Sequence, residues 1–282
     1  MPKKDDAGIA AMRAGAGASW GVEKPVNETT KAEGVPGEAS EKASEKASEV
    51  ASDPGRAFAG TLGRTARRPA GEAAAEACIQ AGEGDVWLNH RTRIEHMLKP
   101  TRFVHSLHVA DASVTMGRIF GGDLVKLAIA GLLHDGAKEL SDERYLALGG
   151  VFGLITDPAE RATPSLLHGP VAAWLAKCDW GVDDPIILQS IRLHTTGGPE
   201  MSKEACIVFM ADLIEPGRKY RGVKVLRQLC REDLRAAMIE AVAQTLVLIA
   251  RDKRPLHSGM LRCQEWLYDG RGTAWKTWKA RN

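Results

Sequence analysis

From Leu124 to His134 the chain reads LVKLAIAGLLH, a run apolar on nearly every side. A helix that is hydrophobic all round cannot face water, so this segment predicts a central helix with others packed around it. Asp123 stands in front of it as the expected N-cap. The run ends in His134-Asp135. An imidazole beside a carboxylate at the end of a buried helix is costly unless something binds both. A divalent metal is the simplest candidate, because it offsets desolvation of the carboxylate and fixes the imidazole tautomer.

Helices are expected around that core. Pro100 suits the first turn of a helix with the stripe Phe103, Leu107, Ala110 and Val114, ended by Gly121-Gly122. Ser141 is expected to cap a short helix stopping at Gly149-Gly150, and Pro170 to open VAAWLAKC. Asp184-Pro185 introduces IILQSIRLH, and Ser202 caps KEACIVFMADLI, which Pro216-Gly217 ends. A long helix runs from about Asp233 to Ala250 and a last one from Ser258 to Leu267. No alternating strand pattern of useful length is present. The fold class is all-α, a helical bundle.

Residues 1–85 read differently. Ala, Gly, Glu, Ser and Lys dominate, and ASEKASEKASEVAS repeats a four-residue unit. A period of four drifts around a helix of about 3.6 residues per turn, so no apolar face forms. Residues 1–85 are expected to be a disordered extension. Residues 86–282, roughly 195 of them, are enough for one substantial core. The formal net charge of +2 writes no strong polyanion-binding field, and RTARR near residue 66 is expected to be a solvated patch. No apolar run approaches the ~18 residues of a membrane span, and no secretory signal is recognisable. Five scattered cysteines without a CxxC pair fit free thiols in a reducing cytoplasm.

Four more residues lie where a site around His134-Asp135 would need them: His105, His168, His194 and Asp212. Each falls at a helix end or on an inward stretch, and a bundle core is where helices can aim ligands at one point. Singly, each has a bland reading as a satisfied core or surface residue. The order His, His-Asp, His, His, Asp in a helical frame carries the case. His90 and His96 are expected to be exposed, His257 structural, and Trp174, Trp180 and Trp266 packing residues.

The strings RFVHSLHVA, AGLLHDGAKEL, LLHGPVAA, IRLHTTG and VFMADLIEPGR, in this order, resemble the HD phosphohydrolase superfamily. Within it the chain is most similar to the YqeK type, the symmetrical diadenosine tetraphosphate hydrolases, over about residues 86–270. The resemblance implies a metal-dependent hydrolase that cleaves diadenosine tetraphosphate to two ADP by metal-activated water. It implies two metal ions, usually iron. His105, His134, Asp135 and Asp212 would hold one, and His168 and His194 the other, with Asp135 bridging. Imidazole-rich sets favour iron, manganese or zinc over magnesium. Lys138 and Arg218 are candidate phosphate ligands and, with Asp135, catalytic residues; the bland readings are a surface lysine and a helix-end charge. Thr195, Thr196 and Gly197 are candidate substrate contacts, with Ser106 and Arg102 weaker ones. His108, Gly136 and Gly198 depart from the pattern. His108 is expected to line the substrate pocket or face solvent, and Gly136 to widen the pocket or loosen the helix end. The expected partner is a dinucleoside polyphosphate, with no membrane and no nucleic acid, and a homodimer is left open. Two alternatives stand: an HD phosphohydrolase for other nucleotides or RNA ends, and a nonenzymatic nucleotide-binding sensor.

Overall fold

Asp123 caps the central helix as expected: its carboxylate accepts from the Val125 and Lys126 N–H groups, both at 3.1 Å, in a computed structural model that describes residues 69–269. The four-residue repeat and RTARR lie outside the described residues. Among the described residues the chain is all-α, with no strand. In order the helices are α1 (Glu72–Gln80), α2 (Gly84–Met97), α3 (Pro100–Phe120), α4 (Leu124–Leu133), α5 (Asp142–Val151) and α6 (Pro158–Ala162). After a 3-10 turn (Pro164–Leu167) come α7 (His168–Cys178), α8 (Pro185–Leu193), α9 (Lys203–Ile214), α10 (Val223–Leu229), α11 (Leu234–Arg251) and α12 (Ser258–Asp269).

The apolar run is the hub. Helix α4 packs against α1, α2, α3, α8 and α9, and Leu127, Leu132 and Leu133 are fully buried. It lies very close to α3 at Gly131, where a Cβ would stand 2.8 Å from the Ala110 Cα. Only glycine permits that approach, and it seats the end of α4 against the body of α3. Ser141, Asp184 and Ser202 each accept from a backbone N–H at the start of their helix, as their sequence positions predict, and Asp233 does the same for α11.

Three expectations need correction. The folded region begins before residue 86. Helix α1 buries Ala73, Ala74, Ala77 and Cys78, and its first N–H groups are taken by a carboxylate of α3: Asp111 accepts from Gly71 at 2.7 Å and Ala74 at 2.9 Å. Small side chains that read as low complexity are what let this helix pack closely. His90 is buried, not exposed, because it shares with Trp87, Ile94 and Leu98 the inward face of α2 and the turn that ends it. Helix α7 starts at His168, two residues before Pro170, as a continuation of the 3-10 turn. Proline is tolerated there, since a first-turn residue has no intrahelical acceptor for its N–H. His257 is structural as expected: Nδ1 accepts from the Gly259 N–H at 2.9 Å, and Nε2 lies 3.3 Å from Glu160 Oε1.

Candidate metal centre

The last carbonyls of a helix lack an intrahelical donor, and three histidines of this chain use them. His134, just past α4, has its Nδ1 2.7 Å from the Gly131 carbonyl oxygen. His194, just past α8, has its Nδ1 2.7 Å from that of Ile191. His168, at the end of the 3-10 turn, has its Nδ1 2.5 Å from that of Ser165. A carbonyl only accepts, so Nδ1 carries the hydrogen in each ring and Nε2 keeps its lone pair, directed away from the helix end. His105 comes from the second turn of α3 and is held by a carboxylate: its Nδ1 lies 3.2 Å from Glu215 Oε1.

The four Nε2 atoms converge on Asp135. His168 and His194 approach its Oδ1 at 3.4 and 3.7 Å, and each other at 2.9 Å. His134 and His105 approach its Oδ2 at 3.7 and 4.0 Å. Asp212 Oδ1 stands 3.0 Å from His105 Nε2 and 4.0 Å from His134 Nε2. The structure therefore brings all six expected ligands together. Two overlapping groups, His105/His134/Asp212 and His134/Asp135/His194, have one ligand atom per residue, all within 4.8 Å of one another.

The electrostatics match lone pairs offered to a cation. Burial lowers the His134 imidazole to about 4 and drives His168 well below its ordinary value, so both rings stay neutral. Around His105, burial works against the charged ring, but hydrogen bonds to Asp212 and Glu215 outweigh it and raise the group to about 9. Burial raises Asp135 and Asp212 less than their imidazole neighbours, joined by Lys138 and Arg218, lower them, so both stay ionised. The His134 Nε2 atom is shielded from solvent and has no hydrogen-bond partner. An unsatisfied buried nitrogen is costly, and a metal ion would satisfy it. Four imidazoles, each with its Nδ1 engaged, and two carboxylates fit a transition metal better than magnesium.

Of the expected substrate contacts, three reach the cluster. Lys138 Nζ lies 2.9 Å from His168 Nε2 and 3.5 Å from Asp135 Oδ1. Arg218 donates through Nε to the Asp212 carbonyl at 2.8 Å and through Nη2 to Asp212 Oδ1. Thr195 Oγ1 is 2.9 Å from His168 Nε2 and 3.0 Å from His194 Nε2. Thr196 and Gly197 do not join them. The buried Thr196 hydroxyl donates to the Gly197 carbonyl at 3.3 Å, and Gly197 turns with φ 61° against Cys263. The chain reverses after Thr195, so one polar group of that run faces the cluster and the next two serve the turn. Gly198 packs beside Leu193.

Arg102, a weak candidate, donates to Asp135 Oδ2 at 2.9 Å, whereas the Ser106 hydroxyl is buried without a partner. Gly136 neither widens a pocket nor loosens a helix end. A Cβ there would stand 2.6 Å from Trp180, whose ring covers the HD turn. His108 faces Glu215, with its Nδ1 3.4 Å from Oε2. Glu215 itself was not a candidate. It is 4 % exposed and holds His105 with one oxygen and His108 with the other. Its sequence signal is its place three residues after Asp212, one helical turn on, in the IEPGR string.

Comparison with known proteins points to one family. Residues 102–217 match the HD domain family. The symmetrical bis(5'-nucleosyl)-tetraphosphatase of Bacillus subtilis is 31% identical over 179 residues, which cover 63% of this chain and 95% of that protein. The Staphylococcus aureus protein of the same name is 30% identical over 168 residues, 59% of this chain and 86% of its own. A crystal structure described as a predicted HD superfamily hydrolase involved in NAD metabolism, from Clostridium acetobutylicum, is 34% identical with a TM-score of 0.63, covering 64% of this chain and 96% of that one.

Proposed function

The chain belongs to the HD-domain hydrolases, in the branch of the symmetrical bis(5'-nucleosyl)-tetraphosphatases, and from that membership we propose that it hydrolyses diadenosine tetraphosphate to two ADP in the cytoplasm. The observation that carries the reading is the division of Asp135: Oδ1 toward His168 and His194, Oδ2 toward His134 and His105. That division would let Asp135 serve a cation on either side. His105, His134, Asp135 and Asp212 would hold one, and His168 and His194, with Asp135, the other. The donor set suits iron, manganese or zinc, and the family resemblance favours iron among them. Bound ions supply Lewis acidity, which neutralises charge on phosphate oxygens and acidifies water.

The chain's own residues bind and orient the substrate. Lys138 and Arg218 bring positive charge to the edge of the cluster, Lys as a point charge and Arg as a planar fork, both suited to a polyphosphate. Each is now held by a carboxylate, Lys138 by Asp135 and Arg218 by Asp212, and is partly exposed. Phosphate oxygens would exchange with those carboxylates as partners. The Thr195 hydroxyl stands between His168 and His194, where it can donate to a phosphate oxygen. The net reaction consumes one water, breaks the anhydride between the second and third phosphates, and releases two ADP. Cys78, Cys206, Cys230 and Cys263 are buried free thiols, which supports a reducing compartment. Among the described residues no helix is long and apolar enough to cross a membrane.

Product analysis tests the reaction. Protein purified without added metal is analysed for bound ions, then incubated with the dinucleotide and the products separated. About two irons per chain and ADP alone are expected. AMP with ATP, or no turnover by metal-replete protein, would sink the symmetrical reaction.

A further inference from the structure

Arg227 sits in the last turn of α10, outside the cluster, and its bonds run to the backbone of another segment. Nε donates to the Ile214 carbonyl at 2.8 Å, and Nη2 donates to the carbonyls of Glu215 at 2.7 Å and Arg218 at 3.0 Å. Ile214 is the last residue of α9, and Glu215 and Arg218 lie in the turn that follows, where the Glu215 carbonyl also accepts from the Arg218 N–H at 3.0 Å. One guanidinium therefore gathers the whole turn from 214 to 218. The same turn carries, on its side chains, the Glu215 carboxylate that holds His105 and the Arg218 guanidinium that holds Asp212.

We infer that Arg227 is a positioning residue for the hydrolytic centre: it pins the 214–218 backbone so that Glu215 aims the His105 ring and Arg218 stays against Asp212. The inference rests on reading the cluster as a metal-dependent hydrolytic centre. The planar fork donates from two separate nitrogens at a fixed spacing, Nε to Ile214 and Nη2 to Glu215 and Arg218, whereas a lysine ammonium donates from a single point on a flexible stem. The effect runs through the orientation of a ligand, and losses of that kind cost about 10- to 100-fold in metal affinity or activity.

Arg227→Gln and Arg227→Lys in the full chain test it, each alone and combined with Glu215→Gln. Both single variants are expected to keep the wild-type far-UV circular dichroism. The kcat should fall about tenfold or more with KM changed less than about threefold, and calorimetric affinity for Mn²⁺ should weaken about tenfold. Because Arg227 acts through Glu215, each double variant should lose clearly less than the two single losses combined. Two results would overturn the inference: Mn²⁺ affinity and kcat within about twofold of wild type in both single variants, or fully additive losses in the doubles. Failure of both single variants to fold would overturn it too, by making Arg227 an anchor of the fold. If wild-type protein does not turn over the dinucleotide, the substrate reading fails, while the Mn²⁺ affinities still decide the role of Arg227.

Discussion

Without the Asp135 carboxylate, four imidazoles and the cations Arg102, Lys138 and Arg218 would face one another with only Asp212 and Glu215 to offset them. Asp135 is 3 % exposed and takes Arg102 on one oxygen and Lys138 on the other. Replacing it should therefore undo both halves of the centre together. Asp135→Ala is expected to lower turnover by about 10³-fold or more, the equivalent of several kcal/mol of lost transition-state stabilisation. Circular dichroism should stay helical, since Arg102 and Lys138 each have a route to solvent. Loss of turnover with a retained fold supports catalysis, and a wild type that is silent from the start supports the sensor alternative. At this scale the residue types were legible in the sequence. The choice of partners was not: His105 meets Glu215 across 110 positions, and Arg102 meets Asp135 across 33. Thr196 was misplaced for the same reason, because only the turn geometry separates it from Thr195.

Helix ends do much of the functional and structural work. The device that aims His134, His168 and His194 is one imidazole hydrogen bonded to the carbonyl three residues earlier. The end of α4 and the end of α8 could be read from sequence, so the place of two of these rings was legible. Asp157 shows the reverse case, a cap that also reaches across the molecule. It accepts from the Ala159 N–H at 2.8 Å, starting α6, and from the Ser258 N–H at 2.9 Å, starting α12. Burial pushes its carboxyl up, but the hydrogen bonds from Ser258 and Ala159 outweigh this and hold it at about 2. Asp157→Ala should cost about 1–2 kcal/mol, seen as a lower Tm. The folded-state value is below the unfolded value of about 3.9, so this contribution is complete above about pH 4 and disappears as pH falls toward 2. The Tm difference between wild type and Asp157→Ala should be constant near neutrality and shrink below about pH 4. A difference that grows with acid would refute the assignment.

For the whole molecule, the boundary of the folded region is the test. Helix α1 packs on α2, α3 and α4, and Ala74 and Cys78 are fully buried. A chain beginning at residue 69 should unfold with a clearly higher Tm than one beginning at residue 86. The shorter chain would strip α1 from the central helix and leave Asp111 without the Gly71 and Ala74 N–H groups. Equal Tm values would restore the boundary read from composition. Helical class, the central place of α4 and the caps Asp123, Ser141, Asp184 and Ser202 were all legible, because each rests on neighbours within a turn or two. Helix α1 was not, because alanine-rich helix and alanine-rich linker look alike until something packs on them.

The amino-acid order alone settled which segments coil and where most of them stop, and it singled out six side chains that the fold brings together. Those are short-range matters of periodicity, end groups and residue type. Tertiary packing decided which oxygen of Asp135 each ring faces, that Glu215 grips His105, that Trp180 requires Gly136, and that Arg227 ties down the turn beside Asp212. These contacts join elements distant along the chain, and their geometry exists only once the helices have met.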